Sequence, residues 1–144
     1  MKKYMLIFLF SAIWIYGQLI NAQPKISAKA EKLISIPGKI CTNAKWSPDG
    51  KQIAFTSEHH NGLWKYDTNN RQISQITNDL SAGFGYSWSA DSRNILARPL
   101  IIDNNLKYYM VKVYETGTGT EKIIVDRSRS ISGLPVWSAQ DSKI

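Results

Sequence analysis

Past its first thirty residues the chain is built of short stretches in which apolar and polar positions alternate, broken by clusters of Gly, Pro, Asn and Asp. Ile53-Ala54-Phe55-Thr56-Ser57 has the period-two character and β-branched or aromatic content of a strand. Gly62 to Tyr66 and Arg71 to Thr77 predict two more strands. Between them lie turn signals. Pro48 fixes φ at about −65°, Asp49-Gly50 supplies a carboxylate and a left-handed position, and Asp67-Thr68-Asn69-Asn70 is rich in residues that tolerate positive φ. A helical period fits no stretch beyond the first 22 residues better, although Ser27 to Leu33 could wind a turn or two. The expected class is all-β.

The pattern repeats. Trp46-Ser47-Pro48-Asp49-Gly50-Lys51-Gln52-Ile53, Trp88-Ser89-Ala90-Asp91-Ser92-Arg93-Asn94-Ile95 and Trp137-Ser138-Ala139-Gln140-Asp141-Ser142-Lys143-Ile144 line up, each running seven positions from Trp to Ile, with an extra Gln140 before the Asp of the third. An aromatic strand end recurs at Tyr66 and Tyr114. An aliphatic pair with a polar end recurs at Leu33-Ile34-Ser35, Gln75-Ile76-Thr77 and Ile124-Val125-Asp126, each time eleven residues before the next Trp. The Trp residues that open the three segments, 46, 88 and 137, are 42 and 49 positions apart. The extra seven fall between Leu96 and Tyr114 and around Gly117 to Thr120, and both places read as loops. A four-strand unit of this length is the signature of a β-propeller blade. Trp46, Trp88 and Trp137 are expected to pack between blades. Pro48, Asp49, Gly50, Asp91 and Asp141 are expected to form the turns, with Ser92 and Ser142 taking the place of Gly at a cost of about 1 kcal/mol each.

The segment from Trp46 to Phe55 resembles the TolB-type propeller repeat, a WD40-like repeat marked by its Pro-Asp pair, and the similarity runs from Glu31 to Ile144. The resemblance implies a partial β-propeller of four-stranded antiparallel blades: residues 23–43 as a linker and an outer strand closing the last blade of a ring, 44–86 as one blade, 87–135 as a second, and 136–144 as the start of a third. Rings of roughly four to eight blades are usual, so the chain is expected to be a fragment of a longer protein. The resemblance also implies protein-partner binding, which in that family involves envelope lipoproteins and energy-transducing membrane proteins. Similar repeats form the propeller that gates prolyl oligopeptidase and dipeptidyl peptidase-type serine peptidases, whose catalytic domain would lie beyond residue 144. They also occur in carbohydrate-active propellers such as oligogalacturonate lyases.

The first 22 residues carry an address. Lys2-Lys3 precede an uncharged run from Met5 to Tyr16, Gly17-Gln18 break it, and Ile20-Asn21-Ala22 offers a cleavage site. Twelve helical residues reach about 18 Å, short of the roughly 30 Å hydrocarbon core, so a cleaved signal is expected rather than a stable membrane span. Export to the periplasm or cell surface follows. It also changes how charge is read. Eighteen Lys and Arg against 11 Asp and Glu give +7, but the basic residues are scattered and do not interleave with stacking aromatics, so nucleic acid is not an expected partner. A protein or peptide is, and an acidic polymer is a further possibility.

Candidate chemistry is sparse. No nucleophile elbow, phosphate-cradling glycine loop or Cys pair occurs in the sequence. Cys41 is the single cysteine and is expected to be a small buried apolar residue. His59 and His60 are adjacent, whereas a metal needs three or four convergent ligands, so no metal, cofactor or enzymatic activity is expected. Binding is the better prospect. In propellers the loops joining strands two and three share a face with the crossovers between blades. That face should carry His59, His60, Asn61, Phe84, Tyr86, the insertion around Asp103 to Leu106, Arg127 and Arg129. Gly83-Phe84-Gly85-Tyr86 reads as flexible glycines presenting aromatic rings to a ligand.

Overall fold

The computed structural model describes residues 32–138, and these are all-β apart from one 3₁₀ turn at Glu58–His60. Residues 1–22, expected to be a signal segment, the residues up to 31 and Asp141 lie outside the described residues. Strands β1 (Thr42–Trp46), β2 (Gln52–Thr56), β3 (Leu63–Asp67) and β4 (Ile73–Thr77) form a four-stranded antiparallel meander in chain order. A second meander follows: β5 (Ser87–Trp88), β6 (Asn94–Ala97), β7 (Leu100–Asp103), β8 (Leu106–Glu115) and β9 (Glu121–Ser128). The pairing keeps the repeat in step, with Ile53 opposite Tyr66 in one sheet and Ile95 opposite Tyr114 in the other. These are two consecutive blades of a partial propeller, followed by the lead-in to a third.

β6 and β7 are one strand interrupted at Arg98-Pro99. Both pair with β8, and the register runs straight through, from Ala97 opposite Lys112 to Leu100 opposite Tyr109. Pro99 is fully buried and accepts a bond from Met110 N at 3.1 Å. The six additional residues of the second blade therefore do not form a loop, as the sequence led us to expect. They lengthen the hairpin between its second and third strands, and only Asn104-Asn105, both at positive φ, make the turn.

The Trp-Ser-x-Asp turns have the same construction twice. Ser47 Oγ donates to Asp49 Oδ1 at 2.7 Å and receives Gln52 N at 2.9 Å; Ser89 Oγ donates to Asp91 Oδ1 at 2.6 Å and receives Asn94 N at 3.0 Å. The same carboxylates accept Lys51 N and Arg93 N. These hydroxyl and amide donors hold both acids below the usual carboxylate range. Gly50 and Ser92 take the left-handed position at φ 69° and 62°. Ser92 gains something in return, since its hydroxyl accepts Asp49 N at 3.0 Å and so links the two turns.

Ala54, Leu63 and Ile76 of the first blade pack with Ile95, Ala97 and Tyr114 of the second, with Ala82 and Tyr86 of the crossover between them and Trp88 at the edge. Burial of each large side chain contributes about 1.5–3 kcal/mol. The other face of the first blade holds Ile53, Phe55, Trp64 and Tyr66, covered by Ile34, Ile36 and Cys41. Leu33-Ile34-Ser35 forms no strand among the described residues. The segment turns at Pro37-Gly38, closes one bridge between Ile36 and Lys39, and lies on that apolar face.

Candidate binding face

The loop between β2 and β3 and the crossover from β4 to β5 are joined by two backbone–backbone bonds and one to a side chain. Gly83 N donates to His60 O at 2.9 Å, Gly62 N to Asp79 O at 2.9 Å, and Ser81 N to Asn61 Oδ1 at 3.0 Å. Ser57 Oγ closes the loop on Asn61 O at 2.9 Å. The crossover is tied in turn to the second blade's long hairpin, where Leu100 N donates to Leu80 O at 2.8 Å. This frame fixes the position of what it presents.

Among the sequence-derived candidates, His60, Asn61 and Phe84 come together. The His60 and Phe84 rings meet edge to face at 5.4 Å, and Phe84 remains 47% exposed. His59 is exposed at φ 57°, and His60 Nδ1 is buried without a hydrogen-bond partner. No group of three His, Cys, Asp or Glu side chains is placed to hold a metal among the described residues.

Tyr86 is not on this face. It is fully buried, its single hydroxyl proton within reach of two carbonyl acceptors, Asn43 O at 2.5 Å and Ala54 O at 2.8 Å, with the Lys45 ammonium 4.7 Å from the ring centre. Burial raises its phenol pKa well above the ordinary value. The two glycines beside it have steric causes too. A Cβ on Gly83 would sit 2.1 Å from Thr56 Oγ1, and Gly85 has φ 72° with Leu134 Cδ1 2.5 Å from where its Cβ would be. The Gly83 to Tyr86 motif is thus mostly a packing device, and only Phe84 faces outward.

Arg127 and Arg129 lie at the hairpin side of the same face. Arg127 pairs with Asp103 Oδ2 at 3.0 Å and stands 5.4 Å over the Tyr108 ring. Arg129 is exposed and has no partner among the described residues. Arg98 lies 4.5 Å over Tyr109 and donates to Gly133 O at 2.7 Å, fixing the lead-in to the third blade. Leu106 falls within the insertion expected on this face, whereas Leu80 and Ile102, also exposed apolar residues of it, were not among the candidates. Alternation through 100–109 was the signal that could have found Ile102.

Among solved structures the chain is similar to the crystal structure of TolB from Acinetobacter baumannii, at 18% identity and a TM-score of 0.52, over 71% of this chain and 25% of that one. The likeness is one of fold. Two neighbouring blades of a TolB-like propeller account for it, and the chain spans about a quarter of the TolB structure's length. No family model matches the chain, and no curated protein matches it.

Proposed function

We propose that the chain is the leading part of an exported, non-enzymatic TolB-like propeller scaffold that binds a protein or peptide in the bacterial periplasm or at the cell surface. The observation that carries this reading is the rigid presentation of exposed Phe84, Leu80 and Leu106 at one end of the two blades. Apolar groups already held in place lose little freedom on binding, so more of their burial remains as affinity. An aromatic ring at the centre of such a patch is a favoured anchor. The export assignment rests on Lys2-Lys3 and the apolar run after them.

A benzophenone amino acid placed at position 84 of the full-length protein tests this in living cells, with the same group at Lys51, in the turn after β1, as control. One saturable, light-dependent adduct with an envelope protein from position 84 and none from position 51 is expected. No adduct at 84, or equal adducts at both, would overturn the reading. Hydrolysis of peptide or polysaccharide substrates by the purified full-length protein would replace it with one of the enzymatic alternatives.

A further inference from the structure

We infer that β7, the outward half of the second blade's long hairpin, is a docking edge that accepts an extended acidic peptide segment as an additional strand. The inference deepens the proposed protein-binding role and rests on that face being the contact surface.

β6 is flanked by β5 on one side and β8 on the other, but β7, which continues the line of β6, has only β8. Its other edge is open on the side where β5 lies lower down. The direction of its free backbone groups follows from one bond. Leu100 N points away from β8, to Leu80 O at 2.8 Å. Backbone groups two residues apart on a strand point the same way, so Ile102 N–H, Ile102 C=O and Leu100 C=O also face outward, and none has a partner among the described residues. Leu80 already begins an edge pairing that stops after a single bond. Unpaired groups in this sequence along an edge are a template for another strand.

The residue content agrees. Natural edges are protected by charge, proline or cover. The outer strand β9 carries Glu121, Lys122, Asp126 and Arg127, and the approach to β4 carries Arg71-Gln72 with Ser74 and Gln75 in the strand. β7 reads Leu-Ile-Ile-Asp, with Ile102 54% exposed, an unprotected edge that a partner would cover. Charge sets the kind of partner. Lys107, directly opposite Ile102 and therefore on the same face of the sheet, is exposed without a carboxylate partner among the described residues. Asp103 is already engaged by Arg127. An incoming strand that lays its carboxylates on the face shared by Ile102 and Lys107 reaches that ammonium, and its apolar side chains then fall on the other face, the one to which Ile101 and Leu106 belong.

The test uses the full-length protein and a fluorescein-labelled octapeptide of alternating Val and Glu, measured by anisotropy. Its controls are the same peptide with alternate amides N-methylated and a Val/Lys peptide of equal length. Ile102→Pro removes the outward N–H without touching the β7–β8 ladder, a position where an edge strand tolerates proline. Expected are saturable binding of the Val/Glu peptide, loss of about tenfold or more in affinity for Ile102→Pro and for the N-methylated peptide, and weaker binding of the Val/Lys peptide. Lys107→Glu should lower affinity and reduce its salt dependence. No binding of the Val/Glu peptide, or unchanged binding by a folded Ile102→Pro protein, overturns the inference; so does equal affinity for the N-methylated or Val/Lys peptide. Cross-linking from position 84 in the Ile102→Pro protein separates the two readings. An adduct that persists with peptide binding unaffected by the proline leaves the face in place and removes the edge, whereas no adduct in either protein removes the face itself.

Discussion

The Trp88 indole donates its N–H to the carbonyl of Lys45, 3.1 Å away in the preceding blade. One repeat later Trp137 does the same to Ser87 O at 3.2 Å. In both cases the acceptor is the residue just before the previous repeat's Trp, so each tryptophan anchors its own repeat to the first strand of the one before. Trp46 begins the series. It is 55% exposed, and its indole has no acceptor among the described residues.

Trp88→Phe keeps most of the ring and removes the donor, leaving the Lys45 carbonyl without it. A loss of about 0.5–1.5 kcal/mol is expected. Trp46→Phe in the same 144-residue chain should change stability by less than about 0.5 kcal/mol. Urea unfolding of the two variants checks the contrast, and equal effects would show that the indole bond is not what matters.

Gly83 approaches Thr56 too closely for any Cβ, and Thr56 is itself buried with its hydroxyl donating to Gly62 O at 2.8 Å. Gly83→Ala must therefore shift backbone on one side or the other, at a cost of about 1–3 kcal/mol. Gly117 has open space around it and no positive φ, so Gly117→Ala should be nearly neutral. Thermal unfolding midpoints would separate them by several degrees.

These cases show what could be seen in the sequence and what could not. The Trp-Ser-x-Asp turns were legible because everything they need lies within six residues: the Ser hydroxyl, the Asp carboxylate and a left-handed position. The glycines of Gly83-Phe84-Gly85-Tyr86 were misread as flexible because their constraints come from Thr56 and Leu134, remote in sequence. The long hairpin was misread as a loop because Pro99 and Asp103-Asn104-Asn105 look like punctuation. Pro99 is accommodated because Met110 still finds its carbonyl, and the two asparagines are the turn alone. The open edge of β7 could not be read from sequence at all, since it depends on where β5 stops.

The same turns predict an acid response. Asp49 and Asp91 have folded-state pKa values below their ordinary 3.8, first through the Ser47 and Ser89 hydroxyls and then through the Lys51 and Arg93 amides. A depressed folded pKa contributes stability that is complete above the unfolded value and lost as pH falls through the folded one. Between pH 7 and about 5 stability should be insensitive to these groups, and it should decline below about 4. The Asp49→Asn, Asp91→Asn double variant should be less stable at pH 7 and show a shallower decline below pH 4. Urea midpoints across that range would show it; parallel curves for the two proteins would rule the turns out as the source.

The polar contact beneath the binding face gives the last prediction. Asp79 Oδ2 accepts Lys112 Nζ at 2.8 Å and the Tyr114 hydroxyl at 2.6 Å, and Lys112 also meets Glu121 Oε1 at 3.0 Å. Burial opposes the charge on Lys112, but Asp79 and Glu121 outweigh it and raise its pKa above the ordinary 10.5. A raised folded pKa gives stability that is present below the unfolded value and lost as pH rises through the folded one. Burial, then Asp79, also holds Tyr114 protonated in the folded state, which destabilises the fold above about pH 10, where the unfolded phenol ionises. Lys112→Met should cost about 1–3 kcal/mol at pH 8, because it leaves Asp79 short of a cation while Glu121 stays partly solvated. Tyr114→Phe should cost about 1 kcal/mol and flatten the alkaline decline. Since both donors share one carboxylate oxygen, the double variant should depart from additivity by about 0.5 kcal/mol or more. A double-mutant cycle by urea unfolding at pH 8 measures that departure, and strict additivity would mean that Asp79 does not couple them.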